Sequence, residues 1–70
     1  MKQNKQFYLN GDCYSIEDDI TLFELVHYFN YNDVLLVLEY NNSICIKKHW
    51  KTIYIKDKDT IEIVTIVGGG

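Results

Sequence analysis

The sequence predicts a two-layer α+β domain, a mixed β-sheet with one main helix packed on one face. Three observations lead there. The chain carries one amphipathic helical segment, strand-like segments stand on both sides of it, and the final apolar segment, "IEIVTIV", reads as a strand paired on both of its edges. One helix covers one face of one sheet, so two layers follow. The chain of 70 residues is expected to form a single domain spanning 1–70, near the lower limit for a core without covalent staples.

A hairpin comes first. Phe7 and Leu9 alternate with Tyr8, and Asn10-Gly11 follows, a dipeptide in which both residues accept the positive φ of a tight turn. Cys13 to Ile16 then returns as the second strand. Thr21 and Glu24 have the spacing of a capping box, in which each side chain satisfies a backbone N–H of the other at a helix start. Ile20 and Leu25 stand where a hydrophobic staple would close around that cap. Leu22, Leu25, Val26 and Phe29 recur at i, i+3, i+4 and i+7, so a helix is expected over 22–29, ended by Asn30 and Asn32. His27 falls on the opposite side of it and reads as a surface residue.

A third strand is expected over 34–40, with Leu36, Leu38 and Tyr40 on one face and Leu35, Val37 and Glu39 on the other. Asn41-Asn42 makes a turn, and Ile44 and Ile46 a short fourth strand. Trp50 belongs in or at the edge of the core, where it buries a large area. Asp57-Lys58-Asp59, between two extended pieces, reads as a charged turn rather than a pair of acid–base carboxylates. The last strand is expected over 61–67. The order β-β-α-β-β-β, with the last strand in mid-sheet, is that of the β-grasp or ubiquitin-like fold.

Composition narrows the function. A net charge of −3 with no arginine argues against nucleic acid as a main partner, since phosphate binding needs a concentrated basic surface. The one basic cluster, "KKHWK" at 47–51, reads as a solvated edge. No apolar run is long enough for a membrane span, and "MKQNKQFYLNG" lacks the apolar core of a secretory signal. Cys13 and Cys45 have neither redox nor metal-ligand spacing and read as small apolar fillers in a reducing compartment. Proline, alanine and arginine are absent, while Ile, Lys, Asn and Tyr make up 28 of the 70 residues. All four are encoded by AT-rich codons, which points to a plastid genome or an AT-rich bacterium, hence to a plastid stroma or a bacterial cytoplasm.

No catalytic constellation, phosphate-cradling loop or metal cluster is found, so the chain is read as a non-enzyme with no bound cofactor. What remains is the tail, Gly68, Gly69 and Gly70. Glycine is costly to order, and a structural terminus gains nothing from three of them. A C-terminal carboxylate becomes reactive when adenylation converts it to a mixed anhydride. To reach another protein's nucleotide site it must pass a narrow channel, which residues without Cβ can thread.

The chain resembles the ThiS family of sulfur carrier proteins over nearly its whole length. The matching pieces are "LNG" after the first strand, "TLFELV" on the helix, "NNSICIKKHW", "DKDTIEIV" and the closing "VGGG". The resemblance implies that an E1-like (ThiF-type) adenylyltransferase uses ATP to adenylate Gly70. Sulfur from a cysteine desulfurase pathway then leaves a thiocarboxylate there. Thiazole synthase (ThiG-type) accepts that sulfur while building the thiazole phosphate of thiamine, with the carrier as cosubstrate. Gly69 and Gly70 match the family motif and Gly68 acts as spacer. Two alternatives are the small subunit of molybdopterin synthase and a ubiquitin-like modifier or interaction module. If Ile61, Ile63 and Thr65 face the helix, then Glu62, Val64 and Ile66 face outward, with Tyr8 and Val37 on the same side. That apolar patch is expected to dock the partners.

Overall fold

A computed structural model of the chain describes residues 3–32 and 34–66. The hairpin is β1 (Lys5–Leu9) and β2 (Asp12–Ile16), closed by Asn10 at φ 50° and Gly11 at φ 86°. The helix α1 (Leu22–Tyr28) follows, then β3 (Leu36–Tyr40), β4 (Ser43–Ile44), a turn of 3-10 helix (Lys47–His49) and β5 (Thr60–Thr65). The sheet order is β2-β1-β5-β3-β4. β5 lies at its centre, parallel to β1 and antiparallel to β3. With one helix on one face of this mixed sheet, the chain has the β-grasp fold expected from its sequence.

The helix begins as its capping box requires. The Thr21 backbone N–H donates to Glu24 Oε1 (2.9 Å), and the Glu24 N–H donates to Thr21 Oγ1 (3.1 Å). Asn30, at φ 60°, ends it in the left-handed conformation that asparagine tolerates. Leu22, Leu25 and Val26 face the sheet and are buried against Phe7, Leu9, Leu38, Ile61 and Ile63, with Trp50 and Ile55 closing the core from the long connection before β5. Trp50 is 2% exposed, and its indole N–H donates to the Cys45 carbonyl at 2.8 Å. A large aromatic is thereby buried with its polar atom satisfied.

Several boundaries differ from the sequence expectation, each for a local reason. β3 starts at Leu36, because Val34 and Leu35 belong to the bend that leaves the helix; Asn32 Oδ1 accepts the Val34 N–H there. β4 stops at Ile44. Ile46 instead precedes the 3-10 turn, whose geometry swings Trp50 under the helix. β5 runs over Thr60–Thr65, and Val67 lies outside the described residues. Thr65 is exposed although it shares the inward register of Ile61 and Ile63, opposite Leu36. Cys13 corrects the reading of both cysteines as fillers: it pairs with Tyr8 on the outer face and is exposed, whereas Cys45 is half-buried.

Candidate functional site: the outer sheet face and the root of the tail

β5 is held in place from both sides by asparagine side chains in turns. β1 leaves the sheet after Leu9, so beyond Ile61 the β1 edge of β5 has no strand partner. Asn10 takes over that role. Its backbone N–H donates to the Ile61 carbonyl (2.9 Å), its Oδ1 accepts the Ile63 N–H (2.8 Å), and its Nδ2 donates to the Ile63 carbonyl (3.3 Å). The carboxamide thus stands in for the peptide group of a strand residue. Asn41, at φ 51°, does the same at the start of β5. Its N–H donates to the Thr60 carbonyl (2.8 Å) and its Oδ1 accepts the Thr60 N–H (2.8 Å).

The charged turn before β5 is a turn, as its sequence suggests, but Asp59 within it is buried, at 6% exposure. Its carboxylate accepts the Lys56 N–H (2.7 Å), Asn41 Nδ2 (3.1 Å) and the Tyr40 hydroxyl (2.5 Å), which satisfies it with no counter-ion among the described residues. Burial first, and then the hydrogen bond to Asp59, hold the Tyr40 phenol well above its ordinary pKa. Asp57 accepts the Gln6 N–H, which ties the same turn to β1. Burial also pushes the Cys45 thiol up. These contacts make the base from which β5 projects rigid.

The register shows which side chains share the face turned away from the helix. Val37 is opposite Val64, Glu39 is opposite Glu62 and also pairs with Ile44, and Tyr8 is opposite Thr60. Ile66 follows two residues after Val64 and donates its N–H to the Leu35 carbonyl (2.6 Å). Tyr8, Val37, Glu62, Val64 and Ile66 therefore lie on one side of the sheet, as expected. Val64 and Ile66 are 57% and 52% exposed, so apolar area is left open to water there. Glu39 shares the face of Val37, as strand alternation expects, and Ile44 joins it through its pairing with Glu39, which alternation alone does not show. Gly68, Gly69 and Gly70 lie outside the described residues.

Elsewhere the chemistry is sparse. His27 is exposed and stacks on Phe23 (4.1 Å between centroids), with Nδ1 at 2.8 Å from the Phe23 carbonyl, as suits a surface residue. Among the described residues no group of three or more His, Cys, Asp or Glu is arranged to hold a metal ion. No helix among them is long and apolar enough to cross a membrane.

The family model described as "ThiS family" matches residues 7–70. The chain belongs to the ThiS family. A protein of Trieres chinensis, called uncharacterized protein ycf40, is 56% identical over 66 residues, covering 94% of this chain and 90% of that protein. A ycf40 protein of Porphyra purpurea is 30% identical over 70 residues, covering 100% and 99%. Among solved structures, the thiamine biosynthesis protein (ThiS) of Geobacter metallireducens superposes with a TM-score of 0.78 at 19% identity, covering 93% of this chain and 99% of that one. At that identity the likeness is one of fold. This ThiS-family chain shares the β-grasp fold with it.

Proposed function

We propose that this ThiS-like sulfur carrier serves thiamine biosynthesis as a protein cosubstrate, with Gly70 as the atom-carrying residue. The observation that carries the reading is the match to the ThiS family through residue 70, together with a rigid central strand leading into Gly68-Gly69-Gly70. An E1-like, ThiF-type adenylyltransferase binds the outer sheet face, takes the glycine tail into its nucleotide site and forms an acyl-adenylate on the Gly70 carboxylate with release of pyrophosphate. ATP is the activating enzyme's substrate, and the carrier itself holds no cofactor. A persulfide from the cysteine desulfurase pathway displaces AMP to give an acyl disulfide, and a thiol then cleaves its S–S bond, supplying the two electrons and leaving a thiocarboxylate on Gly70. A ThiG-type thiazole synthase then accepts the sulfur, and hydrolytic loss of the acyl bond returns Gly70 to the carboxylate.

The glycines suit this task because they lack Cβ and pass through a channel no wider than a backbone. Tyr8, Val37, Glu62, Val64 and Ile66 form the docking face. The algal origin of the ycf40 relatives and the AT-rich coding bias support a plastid-encoded protein working in the stroma.

Intact mass after co-expression with the sulfur machinery tests the reading. Replacing one oxygen by sulfur adds about 16 Da, and the added mass must map to the peptide ending at Gly70. Sulfur found on Cys13 or Cys45 instead, or no added mass at all, would reject it. Deleting Gly70 should abolish sulfur loading and leave the thermal unfolding curve unchanged.

A further inference from the structure

Glu39 and Glu62 are direct cross-strand partners on the outer face. Like charges set opposite one another on adjacent strands repel and weaken the pairing. Among the described residues neither carboxylate has a salt bridge or hydrogen-bond partner. Lys47, Lys48 and Lys51 instead gather with Phe23 and His27 around a shallow depression on the helix side, and Lys51 Nζ lies 4.7 Å from the Phe23 ring centroid. The carboxylate pair on the sheet is therefore uncompensated, while Lys48 and Lys51 lie on the helix side.

The setting of that pair decides its consequence. Val37 and Val64 pair immediately beside it, and Ile44 lies opposite Glu39. A partner that covers these apolar side chains also removes both carboxylates from water. Two desolvated anions without a counter-charge cost more than the neighbouring apolar contacts return. A surface that fits this face must bring cationic groups with it. β5 carries Glu62 and Val64 and ends at Thr65, and Ile66 and the tail follow directly in sequence, so a protein holding the tail in its nucleotide site is brought up to the Val64 end of this face.

We propose that the outer sheet face docks the adenylating enzyme through a cationic side chain that the enzyme places between Glu39 and Glu62, inside a ring of apolar contacts. This rests on the carrier reading and adds the chemistry of the partner's surface. A guanidinium suits the position, because its planar fork of donors can bridge two carboxylates. The unpaired carboxylates also orient the approach, drawing a cationic enzyme surface to the sheet face and away from Lys48 and Lys51.

ATP–pyrophosphate exchange by the adenylating enzyme, measured against carrier concentration at low and high salt, tests this with Glu39→Gln, Glu62→Gln and the double variant. The double variant should raise KM for the carrier about tenfold at low salt, leave kcat unchanged, and lose most of the wild-type salt dependence. It should also unfold at a higher temperature than wild type, because a repulsion has been removed. A KM within about twofold of wild type at both salt concentrations, against the coupling expected of a charge pair, overturns the docking proposal. So does a lower unfolding temperature, which would assign the glutamates to the fold. A wild-type chain that supports no exchange removes the carrier reading, and this proposal with it. An active wild type with an unaffected double variant removes this proposal alone.

Discussion

Replacing Asn10 by glycine isolates what its carboxamide does for the central strand. Glycine retains the backbone conformation at φ 50° and the backbone hydrogen bond to Ile61, and it removes only the two side-chain bonds to Ile63. A net contribution of about 0.5–1.5 kcal/mol for each hydrogen bond sets the scale. The 2.8 Å bond belongs at the upper end of that range and the 3.3 Å bond at the lower. The loss is then about 1–2 kcal/mol, or roughly 5–15 °C in Tm for a chain of this size. Asn10→Asp keeps the acceptor but sets a carboxylate oxygen against the Ile63 carbonyl where Nδ2 donated, so it should cost at least as much. Asn10→Ala adds the strain of a left-handed alanine, about 1 kcal/mol more. Urea unfolding gives the global value, and amide exchange at Ile63 reports the local opening. Wild-type stability in Asn10→Gly, with unchanged exchange at Ile63, would refute the assignment of the carboxamide as a substitute strand.

Three further outcomes follow from the same contacts. Asp59→Ala leaves the Lys56 N–H, Asn41 Nδ2 and the Tyr40 hydroxyl without their acceptor, and should destabilise the chain by about 2–4 kcal/mol in chemical denaturation. The folded-state pKa of Tyr40 lies above its unfolded value near 10, so its contribution is complete below about pH 10 and is lost as pH rises toward the folded value. Stability measured from pH 9 upward should fall from about pH 10, and Tyr40→Phe should flatten that slope. Val64→Asp changes a residue that is 57% exposed, so Tm should move by no more than about 2–4 °C, in keeping with roughly 0.5 kcal/mol for a surface change. Its adenylation should nevertheless weaken, and an unchanged adenylation rate would detach the outer face from activation.

Local signals made most of the fold legible. The Asn10-Gly11 turn, the Thr21–Glu24 box and the spacing of Leu22, Leu25 and Val26 act within a few residues, and each appears in the structure where expected. Strand alternation also placed Tyr8, Val37, Glu62, Val64 and Ile66 on one face. The same alternation could have set Cys13 outside, since it pairs with Tyr8 rather than with an inward residue. What sequence did not show depends on distant pairing. Asn10 and Ile63 are 53 positions apart, and Asn41 and Asp59 are 18 apart, so turn chemistry accounts for their presence without disclosing their second role. The Glu39–Glu62 opposition needs the register of β3 on β5, which no local pattern specifies. The early end of β4 has the same origin, since it depends on where Trp50 finds room and a carbonyl for its indole N–H.

The place of β5 has a consequence for how the chain is made. The strand at the centre of the sheet comes last in sequence, and its pairing with β1 joins Tyr8 to Thr60 across nearly the whole polypeptide. A chain broken off before Thr60 retains a hairpin, a helix and an edge ribbon, but it lacks the strand that joins the two halves. Closure of the core waits for synthesis of Thr60–Thr65. Copies that lack β5 therefore cannot close the core. In this small protein the architecture itself separates chains that carry β5, which can bury their apolar residues, from chains that do not.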